Sequence, residues 1–316
     1  MGVKQANNVK SRPVSRLTTQ MEELDWLYGG NKRPDGLWYW GLPFEKISLW
    51  AGQAGVGKSR LAITLARNVS RIRNVGHPQF PYFNVLYFQS EVDISTFKNW
   101  VESDGGKMPA NLYLSDSDTL EEQVADIEKV NAHLVIVDSI NMIEEFRNGS
   151  DSSLKKMIEG DSSGRGYRSV CKDNPRHIIL LSQLTKDGKA RGSSVLSHLV
   201  DAEFKLWASG LGEFYMKPTK NRYGKTGPNI KTWLAHREDG VEIIMHFRDE
   251  DELWCSTHNI PMRDLWEECR ESREATDREL KKMDKRFFWL NILLRFSPNS
   301  VRRSVIKNLQ EEVNFE

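Results

Sequence analysis

A chain of 316 residues accommodates one large α/β domain with small terminal additions, or two average domains. With 28% charged and 39% hydrophobic residues its composition is that of a soluble globular protein, which excludes collagen-like, disordered and membrane classes. The formal net charge of +1 argues neither for nor against a nucleic-acid partner, because a local basic groove coexists readily with an acidic remainder.

In chain order, residues 1–16 are polar and basic with no hydrophobic period and read as an N-terminal arm; they lack the apolar centre of a secretory signal. Apolar residues at helical spacing predict a helix over Leu17–Leu27, with Thr18 and Thr19 as cap candidates and Gly29-Gly30 as its stop. A polar, aromatic-containing loop is expected over 31–45. Ile47–Trp50, a glycine-rich turn and Ser59–Val69 then read as strand, loop and helix. Short apolar runs at 84–89, 111–114, 133–137 and 177–182 follow, separated by helix-length polar segments, as in parallel strands joined by helical crossovers. From Ala202 the strands come closer together, at 203–207, 213–217, 230–235 and 241–247, which predicts an antiparallel extension of the same sheet. The expected fold is therefore α/β: a doubly wound, mostly parallel sheet over residues 17–250, followed by a small helical region over 257–316. The longest apolar run, 287–296, is broken by Asn291 and Arg295 and falls well short of the roughly 18 residues of a membrane span. The chain is expected in the cytoplasm, away from membranes. Cys171, Cys255 and Cys269 form no CxxC pair, so neither a zinc site nor a disulfide framework is expected.

Gly52-Gln53-Ala54-Gly55-Val56-Gly57-Lys58-Ser59 fits GxxxxGK[ST] and lies between a predicted strand and a predicted helix, the context that gives this motif its meaning. Glycines let backbone N–H groups converge on an anion, and the helix N-terminus adds positive potential. Lys58 reaches the β/γ-phosphates, and Ser59 offers its hydroxyl to Mg²⁺. A chance match somewhere in a chain of this length is on the order of 1%. Residues 52–59, with Arg60 directly after them, are assigned to ATP. Asp138 ends the run HLVIVD, where a buried strand delivers a carboxylate to the ligand crevice, and is assigned with Ser59 to Mg²⁺; a helix-capping Asp is the rival reading. Glu91 follows the strand NVLYFQ, and a carboxylate there orients and deprotonates an attacking water, although alone it reads equally as a surface glutamate. Gln183 ends HIILLSQ beside the expected γ-phosphate, where an amide senses the presence of that group; a polar strand terminus is the plainer alternative.

Together these residues resemble the RecA superfamily of ATPase motors, the RadA branch above all, with features of the DnaB-type helicases. LTTQMEELDWLYGG is similar to the helix that precedes the RadA phosphate loop, VLYFQSEVD to the strand ending in the catalytic glutamate, and LTKDGKARGSSVLSHLVDAEFKL to the second DNA-binding loop and its return strand. Lys220-Asn221-Arg222-Tyr223-Gly224 is nearly the RadA signature KNRFG, and LLSQL resembles the DnaB helicases, whose glutamine couples phosphate state to DNA contact. The resemblance implies that Glu91 is the catalytic base, that Lys220 and Arg222 act on the nucleotide of a neighbouring subunit, and that the chain forms a homo-oligomer, a ring of six. The chain departs from RadA in having no cysteine before Cys171, where RadA carries a four-cysteine zinc module, in a short charged tail instead of a protease-like domain, and in Ser193-Ser194 at a Pro-Arg pair.

Single-stranded DNA requires a basic track along its backbone. Two segments expected to be loops supply one: 141–168, with Arg147, Lys155, Lys156, Arg165 and Arg168, and the segment bearing Lys186, Lys189 and Arg191. Solvated charged loops are the competing reading. In the tail, docking of a replication or loading protein, or plain packing, is favoured over DNA contact by Arg302, Arg303 and Lys307. The resulting expectation is an ATP- and Mg²⁺-dependent single-stranded-DNA motor of replication or recombination. Its rivals are a recombination mediator that anneals strands without translocating, and a nucleotide-switched assembly ATPase without a DNA role.

Overall fold

The structure, a computed structural model, describes residues 14–247 apart from 33–37, 75–81, 106, 148–149, 161, 163, 185–192, 209–212, 225, 227–229 and 238–239. Its elements are β1 (Arg16–Leu17), α1 (Glu22–Tyr28), β2 (Gly30–Lys32), β3 (Trp38–Trp40), β4 (Leu42–Pro43), β5 (Lys46–Gly52), α2 (Lys58–Ser70), β6 (Val85–Gln89), α3 (Ile94–Gly105), β7 (Leu112–Ser115) and α4 (Leu120–Val130). There follow β8 (Leu134–Asp138), a 3-10 turn at Ile140–Met142, α5 (Glu144–Arg147), α6 (Asp151–Glu159), α7 (Tyr167–Asp173), β9 (His177–Gln183), α8 (Ser193–Leu199), β10 (Ala202–Ala208), β11 (Glu213–Asn221), β12 (Ile230–Arg237) and β13 (Gly240–Phe247).

Nine strands form one sheet in the order β13-β12-β11-β10-β5-β9-β8-β6-β7. Pairing is parallel from β10 to β7 and antiparallel from β10 to β13, the doubly wound sheet with an antiparallel extension that the strand spacing predicts. The central strands are apolar almost without break because both faces are covered. Alternate residues divide between two cores: Trp50, Val85, Tyr87, Leu134, Ile136, Ile179, Leu181, Phe204 and Leu206 pack under α1, α2 and α3. Ile47, Leu49, Ala51, Leu86, Phe88, Val135, Val137, Ile178 and Leu180 pack under α4 to α8. The period of two thus fixes which helices each strand residue meets.

Three local expectations are corrected. The helix expected over Leu17–Leu27 starts only at Glu22: Leu17 pairs with Leu42, and the Asp25 carboxylate accepts from the Thr18 hydroxyl (2.6 Å) and the Thr19 N–H (2.7 Å), holding those threonines outside the helix. The stretch 31–45 contains the hairpin β2–β3 and the short strand β4, so it is not wholly loop. The arm read as 1–16 gives its last residues to the fold, since the Ser15 carbonyl accepts from the Phe44 N–H (2.9 Å) and Arg16 lies in β1. The tail, 257–316, lies outside the described residues. Among the described residues no helix is long and apolar enough to cross a membrane.

Candidate active site

The phosphate loop leaves the sheet at Gly52, which pairs with Gln183 on one side and Leu206 on the other. A Cβ at Gly52 would sit 2.7 Å from the Leu206 carbonyl oxygen, so this close approach requires glycine. Gly55 (φ 77°) and Gly57 (φ 85°) take the left-handed backbone that bends the chain round into α2, and a Cβ at Gly55 would meet nothing within 4 Å. Gly57 caps α2 without any side-chain bond, and the first turn carries no acidic residue, so the positive end of the helix faces the loop uncompensated. Lys58 Nζ donates to the Gly52 and Gln53 carbonyls, both at 2.8 Å, using two of its three protons. Burial pushes its pKa below the ordinary lysine value, while Asp138 and Glu91 oppose that shift. The arrangement is a preformed anion cradle with a buried cation at its floor.

Asp138 stands at the end of β8, in register with Gln89 of β6 and separated from β5 by β9. It is 4% exposed. Burial raises its pKa, and hydrogen bonds from Ser59 and Tyr87 pull it back; the Tyr87 hydroxyl donates to Asp138 Oδ2 at 2.6 Å. Among the described residues the buried hydroxyl of neighbouring Ser139 has no hydrogen-bond partner. Among the described residues no group of three or more His, Cys, Asp or Glu side chains gathers to enclose a metal. Ser59 and Asp138 instead form the kind of sparse oxygen site that Mg²⁺ completes with water and substrate phosphates, so these residues fit that ion. Glu91 lies exposed in the bend after β6, and Gln183 Nε2 donates to Glu91 Oε1 at 3.1 Å. Lys58, Ser59, Glu91, Asp138 and Gln183 thus meet at the carboxyl edge of the sheet, which is where α/β folds bind ligands. Arg60 stands half-buried in the first turn of α2.

Lys220 and Arg222 lie elsewhere. Lys220 pairs with Glu203, which pairs with Leu49, placing it about 14 Å from Gly52 by strand rise and spacing, toward the opposite edge. Its Nζ donates to the carbonyls of Ser197 (2.6 Å), His198 (3.1 Å) and Val200 (2.7 Å), closing the C-terminal end of α8. Arg222 is half-exposed and pairs with Asp201 Oδ1 at 3.3 Å. Asp201 also accepts from Arg168 (2.9 Å) and from the Ile47 N–H (3.1 Å).

The basic segments divide. Residues 141–168 are not an open loop: Leu154, Met157 and Ile158 bury one face of α6, and Ser150 caps it by accepting from the Ser153 N–H. Arg165 is paired with Glu128 and Asp173, and Arg168 with Asp201 and the Leu199 carbonyl, which removes both from the expected basic track. Arg147, Lys155 and Lys156 are exposed. Lys186, Lys189 and Arg191 lie outside the described residues. The sequence reading passes over Tyr87, Ser139 and Asp201. A tyrosine inside a buried strand was the available signal for the first, because its hydroxyl must find a partner; Asp201 has no local signal, since its partners are 21 to 154 residues away.

The profile of the family described as AAA domain (AAA_25) matches residues 6–189, more than half of the chain. The chain belongs to this family. Among curated relatives, the AAA-domain chain is 26% identical over 220 residues to the DNA repair protein RadA of Streptococcus pneumoniae, covering 69% of this chain and 47% of that protein. It is 28% identical over 214 residues to RadA of Aquifex aeolicus (67% and 43%) and 23% identical over 240 residues to RadA of Bacillus subtilis (76% and 47%). The chain spans about half the length of the curated relatives it matches. A crystal structure of a KaiC-like protein from Pyrococcus horikoshii OT3 superposes with a TM-score of 0.51 at 14% identity, covering 74% of this chain and all of that one. The AAA-domain chain is thus a RadA-like member of the RecA superfamily of ATPases with the RecA-like fold.

Proposed function

We propose that this chain is an Mg²⁺- and ATP-dependent motor that binds single-stranded DNA and translocates along it or unwinds it during replication or recombination, working as a ring of six identical subunits. The observation that carries the reading is the bond from Gln183 to Glu91. Gln183 ends β9, and the chain runs from it directly into the segment bearing Lys186, Lys189 and Arg191. One amide therefore touches the carboxylate that handles water and opens the segment expected on DNA. A change in phosphate state that alters the partners of Gln183 displaces that segment.

The loop N–H groups and Lys58 bind the triphosphate, and Ser59 and Asp138 would hold Mg²⁺, which when bound neutralises charge on the β- and γ-phosphate oxygens. Glu91 orients the attacking water and accepts its proton. Arg222, with Lys220 beside it, lies too far from its own phosphate loop to reach it and serves the nucleotide of a neighbouring copy. Relatives named as DNA repair proteins support a role on DNA. That same match favours the second reading, a recombination mediator that assembles on strands without moving along them.

The test is ATPase activity with and without single-stranded DNA, together with strand separation on forked duplexes. The motor predicts DNA-stimulated ATPase and fork unwinding, both abolished in Lys58→Ala. Stimulation without unwinding selects the mediator; no stimulation and no salt-dependent binding leaves a nucleotide-switched assembly ATPase.

A further inference from the structure

Beside the phosphate loop, where Leu206 pairs with Gly52, β10 and β11 carry an exposed aromatic and basic surface. Trp207 pairs directly with Tyr215 across the two strands, their rings stacked at 5.4 Å between centroids and 11° between planes. Trp207 remains 39% exposed. Two residues along each strand, Lys205 pairs with Lys217, and both are exposed. Among the described residues neither lysine has an ion-pair partner. A Trp–Tyr pair stabilises a sheet by itself, but two lysines directly opposite each other destabilise it. Packing accounts for the aromatic pair and leaves the cation pair unexplained.

The face settles which ligand suits this surface. Phe204 and Leu206 point into the core beneath α2, so Lys205 and Trp207 point to the other side, where α4 to α8 pack. On that side α8 reaches as far as Glu203, whose carboxylate accepts from the Ser197 hydroxyl at 2.6 Å, and stops short of Lys205 and Trp207. The segment bearing Lys186, Lys189 and Arg191 leads directly into α8. The surface therefore lies on the face away from α2, the face on which α8 packs.

We propose that Trp207 and Tyr215, flanked by Lys205 and Lys217, form a platform on which a base of single-stranded nucleic acid stacks while the lysines hold its backbone phosphates. Flat aromatic faces suit a base that is not enclosed in a duplex, and paired cations match the backbone on either side of it. The proposal rests on the DNA-binding reading above and adds a contact that the loops do not supply.

The experiment measures anisotropy of a fluorescent 20-nucleotide oligo-dT with the full chain, Mg²⁺ and a non-hydrolysable ATP analogue, over a salt series. Trp207→Ala is expected to weaken binding by about 5- to 150-fold, with most affinity kept in Trp207→Phe. Lys205→Gln/Lys217→Gln is expected to lower the slope of log K against log salt by about 1.4, at about 0.7 per neutralised phosphate contact. An abasic strand should cost the wild type the same factor as Trp207→Ala and cost that variant little more. If the wild type binds oligo-dT and all the variants match it in affinity and slope, the platform is overturned and the DNA reading stands. If the wild type binds no single strand, both fall. Loss of fluorescent ATP-analogue binding in Trp207→Ala, with DNA affinity kept, would assign the ring to the nucleotide and also overturn the proposal.

Discussion

Glu91 faces solvent on one side and the Gln183 amide on the other. A base that hands a proton from water to solvent needs this exposure, whereas Asp138, buried and bonded to Tyr87, is placed to hold still. Glu91→Gln preserves shape and removes basicity, so nucleotide affinity should persist while kcat falls by at least about 10²-fold. Nucleotide titration beside steady-state turnover checks this, and near-wild-type kcat would remove Glu91 from the role. His177 offers a test that does not depend on activity. Its Nδ1 donates to the Pro43 carbonyl and its Nε2 shares a hydrogen bond with the Ser48 hydroxyl, both at 2.8 Å. Burial pushes its pKa down to about 4. Between pH 6.5 and about 4 the unfolded chain holds a proton that the folded chain refuses, so stability falls as pH falls through that window. The loss is on the order of 3 kcal/mol. Urea midpoints from pH 7 to pH 4 should show this, and His177→Gln should flatten the dependence; an unchanged slope in the variant would refute the assignment.

At the scale of elements, the N-terminal strand and helix are clasped to the turn after β11. Arg16 donates to the carbonyls of Tyr28 (3.0 Å), Gly41 (2.9 Å) and Tyr223 (3.1 Å), and the Asn221 amide donates to the Leu27 carbonyl at 2.6 Å. Gly29 makes the approach feasible: its φ is 91°, and a Cβ there would lie 2.0 Å from the Tyr223 carbonyl oxygen. Gly29→Ala must therefore part α1 from the turn that carries Arg222. A loss of about 3 kcal/mol is expected, read as a lowered denaturant midpoint. An unchanged midpoint would mean that the clasp contributes little. The KNRYG signature accordingly has a second task beside its catalytic expectation, because Asn221, Tyr223 and Gly224 hold the fold's first helix in place.

For the whole molecule, the decisive relation is the distance between the phosphate loop and Arg222. The cradle lies at one edge of the sheet and Arg222 toward the other; in the proposed ring, one subunit's Arg222 would serve the next subunit's cradle. Arg222→Ala alone should lose about 10³- to 10⁵-fold in turnover if it acts as an arginine finger. Mixed in equal amounts with Glu91→Gln, it should recover activity at roughly a quarter of interfaces, those joining an intact cradle to an intact arginine under random assembly. A mixture as inactive as its parents would reduce Arg222 to a structural partner of Asp201.

The phosphate loop, the strand ends bearing Glu91, Asp138 and Gln183, and the division of the sheet into parallel and antiparallel parts were legible because each is written in contiguous residues: a glycine spacing, an apolar run with its last polar residue, a change in the interval between strands. Other features join residues far apart in the chain. The Tyr87 hydroxyl on Asp138, the Asp201 hub, the ion pairs that engage Arg165 and Arg168, and the Trp207–Tyr215 stack depend on strand order and register. Periods of 2 and 3.6 determine which face a side chain takes, but not which strand lies beside it. That choice belonged to the tertiary structure, through the packing of two apolar faces whose partners no local pattern names.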